Sequence, residues 1–295
     1  MQLRELIKDA GRRLREAGVP DSDREAELLL GYLLGMGRAQ LFLHGETPVD
    51  PGLLVRYEEW LRRRLGREPL AYIIGEREFW SLPFGVGPAV LIPRPETELL
   101  IEAVLVTLPE GGREFHGRIL DLGTGSGVIA IVLALELPGA RVFALDRSLA
   151  ALRVARDNAR RHGVAERLHF FAADMVVGPC PSKTFELVVA NPPYVTRPSL
   201  ADLEPEVRDF EPHLALDGGE NGLDVIRRLP AVLHSLLVDG GWFFMEIGAD
   251  QEEAVLAIFR AAELFDDLLV RKDYAGLPRV FQARMRQAPN SMTGQ

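Results

Sequence analysis

Apolar residues recur at helical spacing through the first part of the chain. Leu3, Leu6, Ile7, Ala10, Leu14 and Ala17 share one helix face, and Gly18-Val19-Pro20 ends the pattern. Asp21 or Ser22 is placed to cap a second helix carrying Ala26, Leu29, Leu30, Leu33 and Leu34. Leu54, Tyr57, Leu61 and Leu65 mark a further amphipathic helix, closed by Gly66 and Pro69. Residues 1–75 therefore read as a small helical bundle. Arg62-Arg63-Arg64 reads as a solvated helix face, with docking of a protein as the alternative.

The period changes near Arg77. Aromatic and turn residues from Glu78 to Val86 predict a short hairpin, and residues 76–92 a hairpin linker. Beyond residue 93, apolar strand patterns at 118–122, 141–146, 168–172, 185–190 and 241–247 alternate with helical patterns at 128–137, 149–162 and 225–237. Such alternation predicts an α/β domain over 93–286, Rossmann-like, with a parallel sheet covered by helices on both faces. The polar tail 287–295 is expected to fray.

Composition changes this picture little. The chain is 47% hydrophobic and 26% charged, as ordinary globular proteins are. Acids and bases balance within residues 1–75, so the net charge of -9 falls on the remainder. That argues against a broadly basic, phosphate-gripping surface, although a local patch stays open. No apolar run approaches the roughly 18 residues of a membrane helix. Charges begin at once in Met1–Glu5, so a cytoplasmic protein is expected. The one cysteine, Cys180, excludes an intrachain disulfide and reads as a loop or packing residue. The six histidines show no ligand spacing, so no metal is predicted.

Candidate chemistry starts where the first strand ends. Asp121-Leu-Gly123-Thr124-Gly125-Ser126-Gly127 runs from a strand into a helix, and glycines let backbone approach a ligand closely. Asp146 ends the next strand, where a carboxylate can accept from both hydroxyls of a ribose. Asp174 and Met175 follow the third strand and are candidates to flank an adenine. A glycine loop alone also fits a dinucleotide site, but no hydride-transfer residues accompany it.

Asn191-Pro192-Pro193-Tyr194 follows the fourth strand. Successive prolines lack N–H donors and restrict the backbone, which holds their carbonyls in fixed directions. The Asn191 side-chain oxygen and the Pro192 carbonyl can hold both N–H bonds of a planar nitrogen, and Tyr194 offers a flat face. This pairing with the glycine loop points to methyl transfer onto an amino or amide nitrogen. Adenine N6 in DNA, a guanine amino group in RNA and a glutamine amide in a protein all remain candidates.

Further stretches narrow the choice: Glu68–Gly75, Phe79–Phe84, Leu91-Ile92-Pro93-Arg94-Pro95-Glu96-Thr97-Glu98, Glu211-Pro212 with Ala215-Leu216, and Gly276-Leu277-Pro278-Arg279. With the two loops above, they make the chain resemble, over nearly its whole length, the protein-(glutamine-N5) methyltransferases of peptide-chain release factors. The resemblance implies a class I S-adenosylmethionine methyltransferase sheet behind an N-terminal helical domain that docks substrate. It implies S-adenosyl-L-methionine as cofactor and class-1 release factors as partners in translation termination, with no direct nucleic acid and no membrane. The acceptor it implies is the glutamine of their Gly-Gly-Gln loop. Substrate contacts carry over to Asn191, Pro192, Pro193 and Tyr194. Cofactor contacts carry over to Gly123–Gly127, Asp146, Met175 and Asn191. A nucleic-acid amino methyltransferase is the alternative. Thr97 or a neighbour is a candidate lining for the methionine end of the cofactor. Residues 195–222 read as a substrate-facing flap or an ordinary surface loop.

Overall fold

The computed structural model describes residues 1–112, 114–177 and 183–287. Cys180 and nearly all of the 287–295 tail lie outside the described residues. The described chain forms two compact units, one of Met1–Glu76 with Glu204–Phe210, the other of Arg77–Leu203 with Glu211–Gln295.

The first unit is helical: α1 (Leu3–Glu16), α2 (Ser22–Leu34), α3 (Arg38–Leu43), α4 (Pro51–Leu65) and α5 (Leu70–Ile74). Its core gathers Leu6, Leu14, Leu29, Leu30, Tyr57 and Leu61, the apolar stripes of the sequence pattern. Neither cap expected for α2 forms. Asp21 sits in the left-handed region (φ 49°) with no side-chain cap bond, and the Ser22 hydroxyl donates back to the Val19 carbonyl. Nor is Arg64 solvated. It is 2% exposed, and it donates to Glu25 and to Glu206 of the short helix Pro205–Phe210, which Arg67 also grips. Burying that guanidinium is tolerable because two carboxylates face it.

The second unit opens with the expected hairpin, β1 (Glu76–Phe79) and β2 (Leu82–Gly85). Trp80 and Ser81 both take positive φ at its turn, the backbone that matches strand twist in a two-residue loop. After a single 3₁₀ turn at Pro95–Thr97 comes α6 (Glu98–Thr107). Then follow β3 (Arg118–Leu122), α7 (Val128–Glu136), β4 (Arg141–Asp146), α8 (Leu149–Arg161), β5 (Leu168–Ala172) and β6 (Phe185–Ala190). The helix Pro205–Phe210 counts as α9, and α10 (Leu229–Leu236), β7 (Leu237–Glu246), α11 (Glu252–Ala262), β8 (Phe265–Lys272) and β9 (Pro278–Met285) complete the chain.

The sheet order is β5-β4-β3-β6-β7-β9-β8. The first five strands run parallel, whereas β9 pairs antiparallel with both β7 and β8. The five strands expected from the sequence form the parallel sheet, and β9 and β8 extend it antiparallel at one edge. Its faces bury separate cores. Ile119, Leu187, Val189 and Phe244 point into one, and Leu120, Leu122, Val188, Phe243 and Met245 into the other. Each such side chain contributes on the order of 2 kcal/mol. From β3 the chain steps outward through β4 to β5, then returns to β6 on the other side of β3. The reversal leaves a crevice at the carboxyl edge, where ligands of open α/β sheets bind.

Candidate active site

Strand register builds the site. Leu122 pairs with Leu145 and Ala190, and Ala190 with Met245. The next residues outward, Gly123, Asp146, Asn191 and Glu246, therefore stand side by side on one edge of the sheet.

A cavity of about 320 Å³ opens there. Gly123, Thr124, Gly125 and Ser126 line it, as do Asp146, Asp174, Met175, Asn191 and Pro193. Thr97 and Arg94 form part of the wall, with Pro212, Leu214 and Asp217 from the stretch read as a flap. Gly127 does not line it. That glycine starts α7 at φ 86°, and a Cβ there would meet Ala155 and Ile131 at 3.1 Å. Pro192 is buried, and no hydrogen bond reaches its carbonyl among the described residues. Tyr194 is not among the residues that line it.

At the glycine loop, the Asp146 carboxylate accepts from the Gly125 amide at 3.0 Å and the Ser148 amide at 2.8 Å. A carboxylate offers about four acceptor sites, so two remain for a ligand. Asp174 accepts from the Val176 amide, and its other oxygen is 3.6 Å from Arg147. Asp121 is fully buried, and neither carboxylate oxygen has a hydrogen-bond partner; the neighbouring Thr124 hydroxyl lacks one as well. Burial pushes the Asp121 pKa up to about 7; the Thr124 hydroxyl and the Ala130 amide, nearby but outside hydrogen-bond geometry, oppose this, and the charge of Asp146 reinforces it.

At the Asn191 end the polar groups are matched. Glu246, 1% exposed, accepts from the Thr97 hydroxyl at 2.6 Å, from Asn191 Nδ2 at 3.0 Å and from the Tyr194 hydroxyl at 3.1 Å. Desolvation still outweighs these bonds and the nearby Arg279, so the Glu246 carboxyl titrates above the ordinary range. Burial, then the Glu246 charge, pushes the Tyr194 phenol up. Gln251 holds the Tyr194 carbonyl at 3.1 Å, and Gly222 leaves room for that carbonyl, which a Cβ would meet at 2.3 Å.

Three supporting residues have roles that the sequence alone does not assign. Glu246 is an acid closing an apolar strand, the same signal that marks Asp146. Asn158 interrupts the apolar face of α8 and donates to the Ser126 and Gly85 carbonyls, steadying the glycine loop. Glu211 is buried and accepts from the Ile92 amide and from Arg94, tying together two stretches that line the cavity.

Two family models match: the PrmC N-terminal domain over residues 5–75 and the methyltransferase small domain over 95–203. Curated relatives match nearly end to end. The release factor glutamine methyltransferase of Koribacter versatilis is 42% identical over 96% of this chain and 99% of its own. That of Moorella thermoacetica is 43% identical over 97% of this chain and 100% of its own. This chain belongs to the release factor glutamine methyltransferase family. Among solved structures, the hMettl16 catalytic domain in complex with MAT2A 3′UTR hairpin 6 aligns with TM-score 0.55 and 14% identity, over 82% of this chain and 84% of that one. A methyltransferase from Pyrococcus furiosus aligns with TM-score 0.50 and 17% identity, over 78% of this chain and 100% of that one. At such identities the likeness is one of fold, the class I methyltransferase sheet. Among the described residues, no helix is long and apolar enough to cross a membrane.

Proposed function

We infer that this protein methylates the side-chain amide nitrogen of the Gly-Gly-Gln glutamine in class-1 peptide-chain release factors, using S-adenosyl-L-methionine. The observation that carries this reading is a single cavity lined by both the glycine loop with Asp146 and by Asn191 and Pro193. The family's named substrate supplies the rest. Release factors work in the cytoplasm, and the protein is placed there with them. Recognition is of protein, with no direct role for nucleic acid.

The residues present suit the cofactor. Asp146 has acceptor capacity left for ribose hydroxyls, Met175 offers a polarisable face to a ring, and the orphaned Asp121 carboxylate, buried beneath the glycine loop and not on the cavity wall, favours positive charge in the cavity through its field. S-adenosylmethionine, once bound, supplies an activated methyl group. The chain's own task is orientation. The Asn191 oxygen and the Pro192 carbonyl are suited to accept the two N–H bonds of the acceptor amide, turning its nitrogen toward the methyl. Both acceptors also favour the positive charge that develops on nitrogen during transfer. No strong base is needed beforehand, because the proton becomes acidic only as the new bond forms.

Mass spectrometry of a release factor incubated with protein and cofactor tests this. A single added methyl on the Gly-Gly-Gln glutamine is expected. Label in DNA or RNA with none in release factor would remove the assignment.

A further inference from the structure

We propose that Glu246 is a positioning residue that decides which way round the Asn191 carboxamide sits, with Thr97 holding the same oxygen. This deepens the proposed function and rests on Asn191 being the group that grips the acceptor amide.

An asparagine side chain has an acceptor at one corner and a donor at the other, and free rotation interchanges them. Only one orientation helps an incoming NH₂ group, the one that presents Oδ1. An ionised carboxylate can only accept hydrogen bonds. Glu246 Oε2 lies 3.0 Å from Asn191 Nδ2, and the Thr97 hydroxyl already donates to that same oxygen at 2.6 Å. Asn191 Nδ2 is also 3.3 Å from the Thr97 oxygen, which can accept there because its own proton is spent on Glu246. Turning the carboxamide over would set Oδ1 against a carboxylate oxygen and a hydroxyl oxygen with no proton between them. The Tyr194 hydroxyl holds the second Glu246 oxygen at 3.1 Å and prevents the carboxylate from rotating away. The carboxamide is therefore locked with Oδ1 as its one unengaged atom, on a residue that lines the cavity. The acceptor of the planar nitrogen is fixed before substrate arrives, which removes an orientational cost from the reaction step rather than from binding.

Turnover, substrate KM and cofactor affinity are measured together for a set of variants of the full chain. Glu246→Leu is expected to lower kcat about 100-fold while leaving KM for release factor and cofactor affinity within about threefold. Glu246→Gln is expected to keep kcat within about tenfold, since its carbonyl can still take the Asn191 and Thr97 donors while its NH₂ faces Tyr194. A charge swap keeps the test alive should the Leu variant fail to fold. Asn191→Asp alone opposes two carboxylates and is expected to lose nearly all turnover. Adding Glu246→Gln to it should recover at least about tenfold, because the new amide at 246 donates where the old carboxylate accepted, and the Asn191→Asp carboxylate takes that bond. Full additivity of Asn191→Ala with Glu246→Leu, or no recovery in the swapped pair, overturns the positioning role while wild-type methylation stands. A wild-type protein that leaves release factor unlabelled overturns the functional assignment instead.

Discussion

The two ends of the cavity are completed to different degrees. At the glycine loop, polar atoms are left over: both Asp121 oxygens and the Thr124 hydroxyl are buried without partners. At the Asn191 end, a carboxylate buried just as deeply carries three donors, and among the described residues Asn191 Oδ1 and the Pro192 carbonyl are left to accept. Each arrangement suits its ligand. A charged cofactor can supply the missing counter-charge when it binds, so an electrostatically unfinished pocket gains on binding. A neutral amide supplies little, so the group that aims it must be set in advance. Substitutions should separate these two kinds of work.

Breaking the finished end has the largest effect. Asn191→Ala removes the acceptor that orients the amide and should cost at least about 100-fold in turnover. Circular dichroism should show the fold retained, and the loss of turnover should persist at saturating cofactor. Near-normal turnover would disprove the catalytic assignment of Asn191.

At the unfinished end the loss should fall on binding. Asp146→Ala removes charge-assisted bonds worth about 1.5–3 kcal/mol each, so cofactor affinity should weaken at least about tenfold by calorimetry. Turnover at saturating cofactor should recover much of its wild-type value. Unchanged affinity would refute the ribose role.

The same contrast explains what could be read from the chain alone. Strands β3 to β6 are short, predominantly apolar runs, and both ligand loops start at carboxyl ends among them, so strands and loops are legible together. Strands β8 and β9 are not. Phe265-Asp266-Asp267-Leu268-Leu269 follows no clean alternation, and a register shift between Asp266 and Leu269 interrupts the pairing. The roles of Arg64 and Glu246 depend on partners far along the chain: Glu206 for the first, Thr97 and Asn191 for the second. A buried arginine looks like any surface arginine until its carboxylates are placed. Thr97 was read toward the cofactor and does line the cavity, but its hydroxyl is committed to Glu246.

Asp121 sharpens the comparison through pH. Its folded-state pKa is raised to about 7 from an ordinary 3.8. The folded protein without cofactor thus holds a proton there that the unfolded chain has released, so this group costs stability increasingly as pH rises from about 4 to 7 and fully above that. Asp121→Asn should therefore melt higher than the parent at pH 8 without cofactor, with the gap closing as pH falls toward 5. Cofactor binding should run the other way. A cationic ligand favours ionised Asp121, so affinity should rise with pH through about 7, and proton release should be measurable in buffers of different ionisation heat. Flat pH dependence in the parent, or the same slope in Asp121→Asn, would remove the counter-charge role.

Met175 gives the smallest and most local test. Its side chain lines the cavity, with Cε 2.5 Å from where a Cβ on Gly123 would stand. Sulfur against an aromatic ring is worth about 0.3–1.5 kcal/mol, so Met175→Ala should weaken cofactor binding only about two- to tenfold. The demethylated product cofactor shares the adenine and should weaken by the same factor, while kcat at saturation stays constant. Met175→Phe replaces one polarisable surface by another and should restore most of the affinity. A kcat effect in Met175→Ala larger than its binding effect would mean that this residue reaches the reacting end of the cavity, and that the division between a binding end and an orienting end is drawn in the wrong place.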